Sequence, residues 1–203
     1  MDALYLDYAT GSLSEPARLL IDTHLTMRPE RRVDARAWDL VGSALLDEPV
    51  APVTVSAVEL LSREVHGFSP VGGGQGELPE PLSTIVARRL ADLNWRPAAP
   101  GSREHIMPRW PQARIIETAE AAPEGWTLGP ELVLVLEGEL EVDGAVHRPG
   151  DVLALDRAAD RPTPAGERPV LCFSVQDSGY TARGVREVVS NPGMPQRWSW
   201  RRP

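Results

Sequence analysis

The sequence predicts an α+β protein: a small helical bundle at the N-terminus, then an all-β barrel or jelly roll at the C-terminus. Three observations carry this. Apolar residues recur at helical spacing up to about residue 66. After Asn94 the pattern turns to period two, in short β-rich runs separated by Gly, Pro and Asp. Between the two regimes lies "GFSPVGGGQGELPEP", whose glycines loosen the chain and whose prolines forbid a regular element. The expected organisation is a helical domain over 1–66, a flexible linker over 67–80, and a β domain over 81–203 with a leading helix.

The elements follow in order. "ALYLDYATG" reads as a helix stopped at Gly11. "SLSEPARLLIDTHLTM" has Ser14 placed to cap a second helix and Pro16 in its first turn, and puts Leu20, Ile21, His24 and Leu25 on one face. "PERRVDARAWDLVGSALLDE" starts a third helix at a proline, with Val33, Ala37, Leu40, Val41 and Ala44 as its inward stripe. "TVSAVELLSREVHGF" reads as a fourth helix, with Val58, Leu61 and Val65 inward. So small a bundle is marginal alone and gains from a metal, a partner or a second domain. After the linker, "LSTIVARRLADL" predicts one more helix. "REHIM", "ARIIETA", "ELVLVLEGELEVD", "AVHR", "DVLALD", "VLCFSV" and "REVVS" predict strands, with a hairpin turn at Asp143-Gly144 and a second turn at Pro149-Gly150. About a hundred residues of short antiparallel strands imply a closed barrel or a jelly roll.

Composition narrows the function. A formal net charge of −8 argues against tracking nucleic acid through its phosphates. Cys172 is the single cysteine, which excludes an internal disulfide and a cysteine-based zinc knuckle. The acidic N-terminus lacks the apolar stretch of a signal peptide. No apolar run reaches the ~20 residues that cross a bilayer. The expected location is the cytoplasm, away from membranes. No Ser-His-Asp spacing, phosphate loop or DNA-binding motif stands out, so the sequence points to a non-enzyme.

"PELVLVLEGELEVDGAVHRPGDVLALD" resembles the cupin signature, with Glu131 leading to Gly138 in the first part and Gly144 leading to Pro149-Gly150-Asp151 in the second. With "LDYATGSLSEPARLLIDTHLTM", "VGSALLDE" and "PLSTIVARRLADLNWR" ahead of it, nearly the whole chain resembles the ChrR-type anti-sigma factors. That family joins a zinc-binding helical anti-sigma domain to a zinc-binding cupin. The resemblance implies a transcriptional regulator whose helices clamp a sigma factor of the extracytoplasmic-function (ECF) type, with the cupin as sensor or support.

The resemblance also locates two metal sites, and in this chain both read as degenerate. In the helical site, H-x3-C-x2-C spacing falls on His24, Arg28 and Arg31, and the first His of the family would precede Met1. Zinc takes thiolates or neutral imidazoles, whereas a guanidinium stays protonated and repels the ion. In the cupin site Glu131 remains, but Gly125 and Thr127 stand near the two His positions and Arg161 near the last. One carboxylate, even joined by Glu124, is a poor first-row metal site. His24 and Glu131 are therefore remnant positions, and neither a metal nor another cofactor is expected. Ion pairs among Arg28, Glu30, Arg31 and Asp34 offset little of a lost zinc, and packing of Leu20, Leu25, Met27, Val33 and Trp38, a partner, or the cupin domain is expected to offset more; "RPERRVDAR" itself reads first as a solvated helix start.

The remaining candidates have bland readings. Cys172 alternates with apolar neighbours and reads as a buried strand residue rather than a redox sensor. His147 reads as a partly exposed strand residue, and His66 and His105 as surface residues. Glu131, Glu139 and Glu141 alternate along what reads as one strand and so share a face. Trp126, Tyr180, Trp198 and Trp200 read as core or rim. The alternative function is a metal-free cupin that binds or transforms a small molecule in its barrel.

Overall fold

The computed structural model describes residues 2–45, 76–121, 131–155, 162–166 and 168–176. The helices are α1 (Asp2–Ala9), α2 (Glu15–Met27), α3 (Arg32–Leu45) and the short α4 (Leu82–Ile85), with a 3-10 turn at Pro29–Arg31 joining α2 to α3. The strands are β1 (Arg96–Ala99), β2 (Ser102–Met107), β3 (Trp110–Thr118), β4 (Glu131–Glu137), β5 (Leu140–Val142), β6 (Ala145–His147), β7 (Val152–Leu155), β8 (Thr163–Pro164) and β9 (Val170–Gln176). They form a six-stranded sheet in the order β1-β2-β3-β9-β4-β7 and a three-stranded sheet in the order β6-β5-β8. The pairs are antiparallel, as expected of a cupin-type β domain.

The larger sheet is covered on both faces, which explains why "LVLVL" and "VLCF" are apolar throughout instead of alternating with polar residues. On one face Val133, Val135, Val170 and Cys172 pack with Leu140, Val142, Leu153 and Leu155 between the sheets. On the other, Leu132, Leu134, Leu171, Phe173 and Ile115 join a core that also holds Leu4, Tyr5, Leu19, Leu20 and Ile21 of α1 and α2. Fully burying a Leu or Ile contributes about 1.5–3 kcal/mol. A few such residues on α2 thus bind it firmly to the outside of the β domain.

Several expectations need correction. "LSTIVARRLADL" is not one helix: α4 ends at Ile85, and a 3-10 turn follows at Leu90–Asp92. The intervening backbone is drawn into pairing, with Leu78 N–H donating to Arg88 O and Leu90 N–H to Gly76 O. Val33 and Ala37 do not face inward: Val33 is 72% exposed, and Ala35 is the buried residue of that turn. His105 is buried in the middle of β2, where its Nδ1 lies 3.3 Å from Asn94 O. Glu131, Glu139 and Glu141 do not share a strand face. Gly138, at φ +80°, breaks the strand where a Cβ would lie 2.9 Å from Pro169 O. Glu131 is consequently buried while Glu139 and Glu141 are exposed.

Other readings hold. Ser14 and Pro16 begin α2, although the Ser14 side chain makes no capping bond. Asp143 and Gly144 take φ of +52° and +76°, the paired positive values of a type I′ hairpin turn between β5 and β6. The fourth helix, most of the 67–80 linker and the "REVVS" strand fall outside the described residues, as do His66, Glu124, Gly125, Trp126, Thr127, Arg161, Tyr180, Trp198 and Trp200.

Candidate functional site

The last turn of α2 carries His24 onto the edge of the β domain. His24 is 3% exposed, and both ring nitrogens are engaged. Nδ1 lies 2.6 Å from Gly150 O, and Nε2 lies 2.8 Å from the Tyr5 hydroxyl of α1. A carbonyl oxygen only accepts, so Nδ1 carries the proton, and Nε2 accepts from the Tyr5 O–H. Burial drives the imidazole pKa below its ordinary value, and Arg31 and Arg28 push the same way, against the Gly150 bond and Asp151. The ring is a neutral connector between α1 and the Pro149-Gly150 turn.

Four residues on, Arg28 leaves α2 and lies along the same turn. Its Nη2 donates to Asp151 Oδ1 at 3.1 Å. Its stem runs so close to Gly150 that a Cβ there would lie 2.8 Å from Arg28 Cγ and from Nε. Gly150, at φ +90°, is needed for the backbone conformation and for this approach. Backbone bonds fix the turn itself, with Gly150 N–H donating to Val135 O at 2.8 Å and Val135 N–H to Asp151 O at 3.0 Å. Asp151 Oδ2 accepts the Arg148 N–H at 2.8 Å. Arg31 stays on the helical side in an exposed pair with Asp34 at 3.1 Å. The expected Arg28–Glu30 pair is looser, at 3.8 Å.

Glu131, the second candidate residue, sits inside the β domain at 1% exposure. Its Oε1 accepts from Arg114 Nη2 at 3.0 Å and from the Ser174 hydroxyl, and its Oε2 is buried without a hydrogen-bond partner. Arg114 also reaches Glu104 at 3.4 Å, and Arg96 reaches the other oxygen of Glu104 at 2.8 Å. A guanidinium thus stands beside the carboxylate. Below this network Ile116, Val133, Leu140, Leu155 and Cys172 line a cavity of about 10 Å³, roughly the room for one water. Cys172 is a free thiol whose pKa is pushed up to about 12, by burial first and by the charge of Glu131 second. His147 lies half-buried on β6. Among the described residues, no group of three or more His, Cys, Asp or Glu side chains gathers as a metal site would require.

Sequence reasoning placed His24 and Glu131 but missed their partners. Nothing in "ALYLDYATG" singled out Tyr5, and Pro149-Gly150 was legible only as a turn. Arg114 had left a signal: it alternates with Ile116 and Thr118 on the face of β3 that turns inward, where a charged residue needs a partner.

Comparison with known proteins adds a whole-chain match. Anti-sigma-E factor ChrR of Cereibacter sphaeroides is 35% identical over 182 residues, which is 85% of this chain and 84% of the relative. The crystal structure of Rhodobacter sphaeroides SigE in complex with the anti-sigma ChrR matches with a TM-score of 0.64 and 32% identity, covering 87% of this chain and 97% of the matched one. No protein-family model matches the chain.

Proposed function

The chain belongs to the ChrR family of anti-sigma factors, and from that premise we propose that it binds and inhibits an ECF-type sigma factor through its helices. The match spans helices and β domain alike, and this whole-chain coverage is the observation that carries the reading. Two residues of α3 support it. Val33 and Ala37 belong to a stripe with the spacing of a buried face, yet both are exposed. Exposed apolar residues at such spacing are the kind of surface a partner covers.

In this reading residues 1–66 form the inhibitory part, 67–80 the connection, and 81–203 the support or sensor. The protein acts in the cytoplasm as a binding protein and not as an enzyme. Among the described residues no helix is long and apolar enough to cross a membrane. The test is transcription in vitro with core polymerase and each purified ECF-type sigma factor of the source genome. Adding the protein should silence one of them at near-stoichiometric amounts. Equal transcription from every sigma factor, with and without the protein, contradicts the proposal.

A further inference from the structure

We infer that the Pro149-Gly150-Asp151 turn is a docking site for the end of α2, and that this junction holds the helices in place without the zinc that such a helical domain takes elsewhere in the family. The inference does not depend on the identity of the protein's partner.

The donor set does not fit zinc. Of the positions in H-x3-C-x2-C spacing, His24 spends its Nδ1 proton on Gly150 O and its Nε2 lone pair on the Tyr5 hydroxyl. Arg28 and Arg31 bring permanent positive charge to the other two. An ion at Nε2 would have to displace Tyr5 and sit beside two guanidinium groups.

The same side chains fit the turn. Two of the three positions, His24 and Arg28, reach across to consecutive residues, Gly150 and Asp151. Gly150 presents its carbonyl to the imidazole, and its missing Cβ leaves the lane along which Arg28 runs. Asp151 is held by the Arg148 N–H on one oxygen and presents the other to Arg28. The turn is anchored at Val135 of β4, whose neighbours Leu134 and Leu136 join the core that also contains Leu19, Leu20 and Ile21 of α2. Polar contacts at the end of the helix and apolar contacts along it therefore fix one geometry. Two weak polar links suffice, because the apolar face of α2 supplies most of the holding energy.

The test uses the full-length protein, with Arg28→Met, which keeps the aliphatic stem and removes the charge, and Asp151→Asn, which keeps an oxygen for the Arg148 N–H. Amide hydrogen exchange is read at residues 24–28 and 148–151. Docking predicts that Arg28→Met speeds exchange at Arg148, Gly150 and Asp151 by at least roughly fivefold, through local opening. Asp151→Asn should do the same at the end of α2, and the amides of β3 and β9 should hardly change. In parallel, the wild-type protein is unfolded thermally with and without excess chelator, and its zinc is counted. Zinc well below one per chain and an unchanged midpoint are expected. Exchange effects confined to the mutated element would overturn the docking site. Stoichiometric zinc, or a midpoint lowered by chelator, would overturn the metal-free junction.

Discussion

Replacing Arg114 with methionine removes a buried cation while nearly keeping its length. Glu104 retains Arg96 at 2.8 Å after the change, so it is not stranded. Glu131 is stranded. Its side chain is fully buried, its Oε2 has no partner, and only the Ser174 hydroxyl would remain on Oε1. Breaking a buried ion pair from one side is destabilising by about 3–5 kcal/mol, since the surviving charge stays desolvated. For a chain of this size each kcal/mol lowers the melting temperature by about 2–4 °C. Arg114→Met should therefore melt roughly 6–20 °C lower. Adding Glu131→Gln removes the stranded charge and keeps an acceptor for Ser174, so the double variant should recover most of the loss. Circular dichroism melts of the three proteins decide it. A single variant within about 1 kcal/mol of wild type, or a double variant no more stable than the single, would refute the ion-pair account.

Three further outcomes are expected. Folding holds the His24 imidazole below its ordinary pKa of 6.5, so its contribution to stability is complete above that value and is lost as pH falls toward the folded-state pKa. Urea midpoints should drop between about pH 7.5 and about pH 5.5, with His147, shifted the same way, adding to the slope, and His24→Phe should flatten the curve. Val33→Asp lies on an exposed position and should change stability by less than about 0.5 kcal/mol while weakening sigma-factor binding by roughly tenfold, measured by calorimetry. Cys172, buried and with its pKa near 12, should resist a thiol reagent in the native protein and react at once in urea.

The first three helices and most of the described strands were legible because their signals are local. Ser14 with Pro16 marks a helix start, and Asp143-Gly144 marks a hairpin whatever surrounds it. The errors arose where distant segments decide. The "LSTIVARRLADL" pattern is helical, but pairing of residues 76–78 with 88–90 breaks it. Val33 and Ala37 have core spacing yet are exposed, because spacing alone does not say what a face packs against. His105 looked like a surface residue because the packing that buries it comes from elsewhere in the chain. At the candidate site His24 and Glu131 were singled out by the sequence. The partners of His24 were not, because Tyr5 and Gly150 are separated from it by 19 and 126 residues. Arg114 pairs with Glu131 across two strands that are not neighbours in the sheet.

Inhibition of a sigma factor by a helical junction that works without zinc is the central proposal. It is tested most directly by titrating the chelator-treated, metal-assayed protein into the ECF-type sigma factor it silences, in a calorimeter, with and without added zinc. The account predicts equally tight one-to-one binding in both arms. Binding that appears only when zinc is supplied would contradict it.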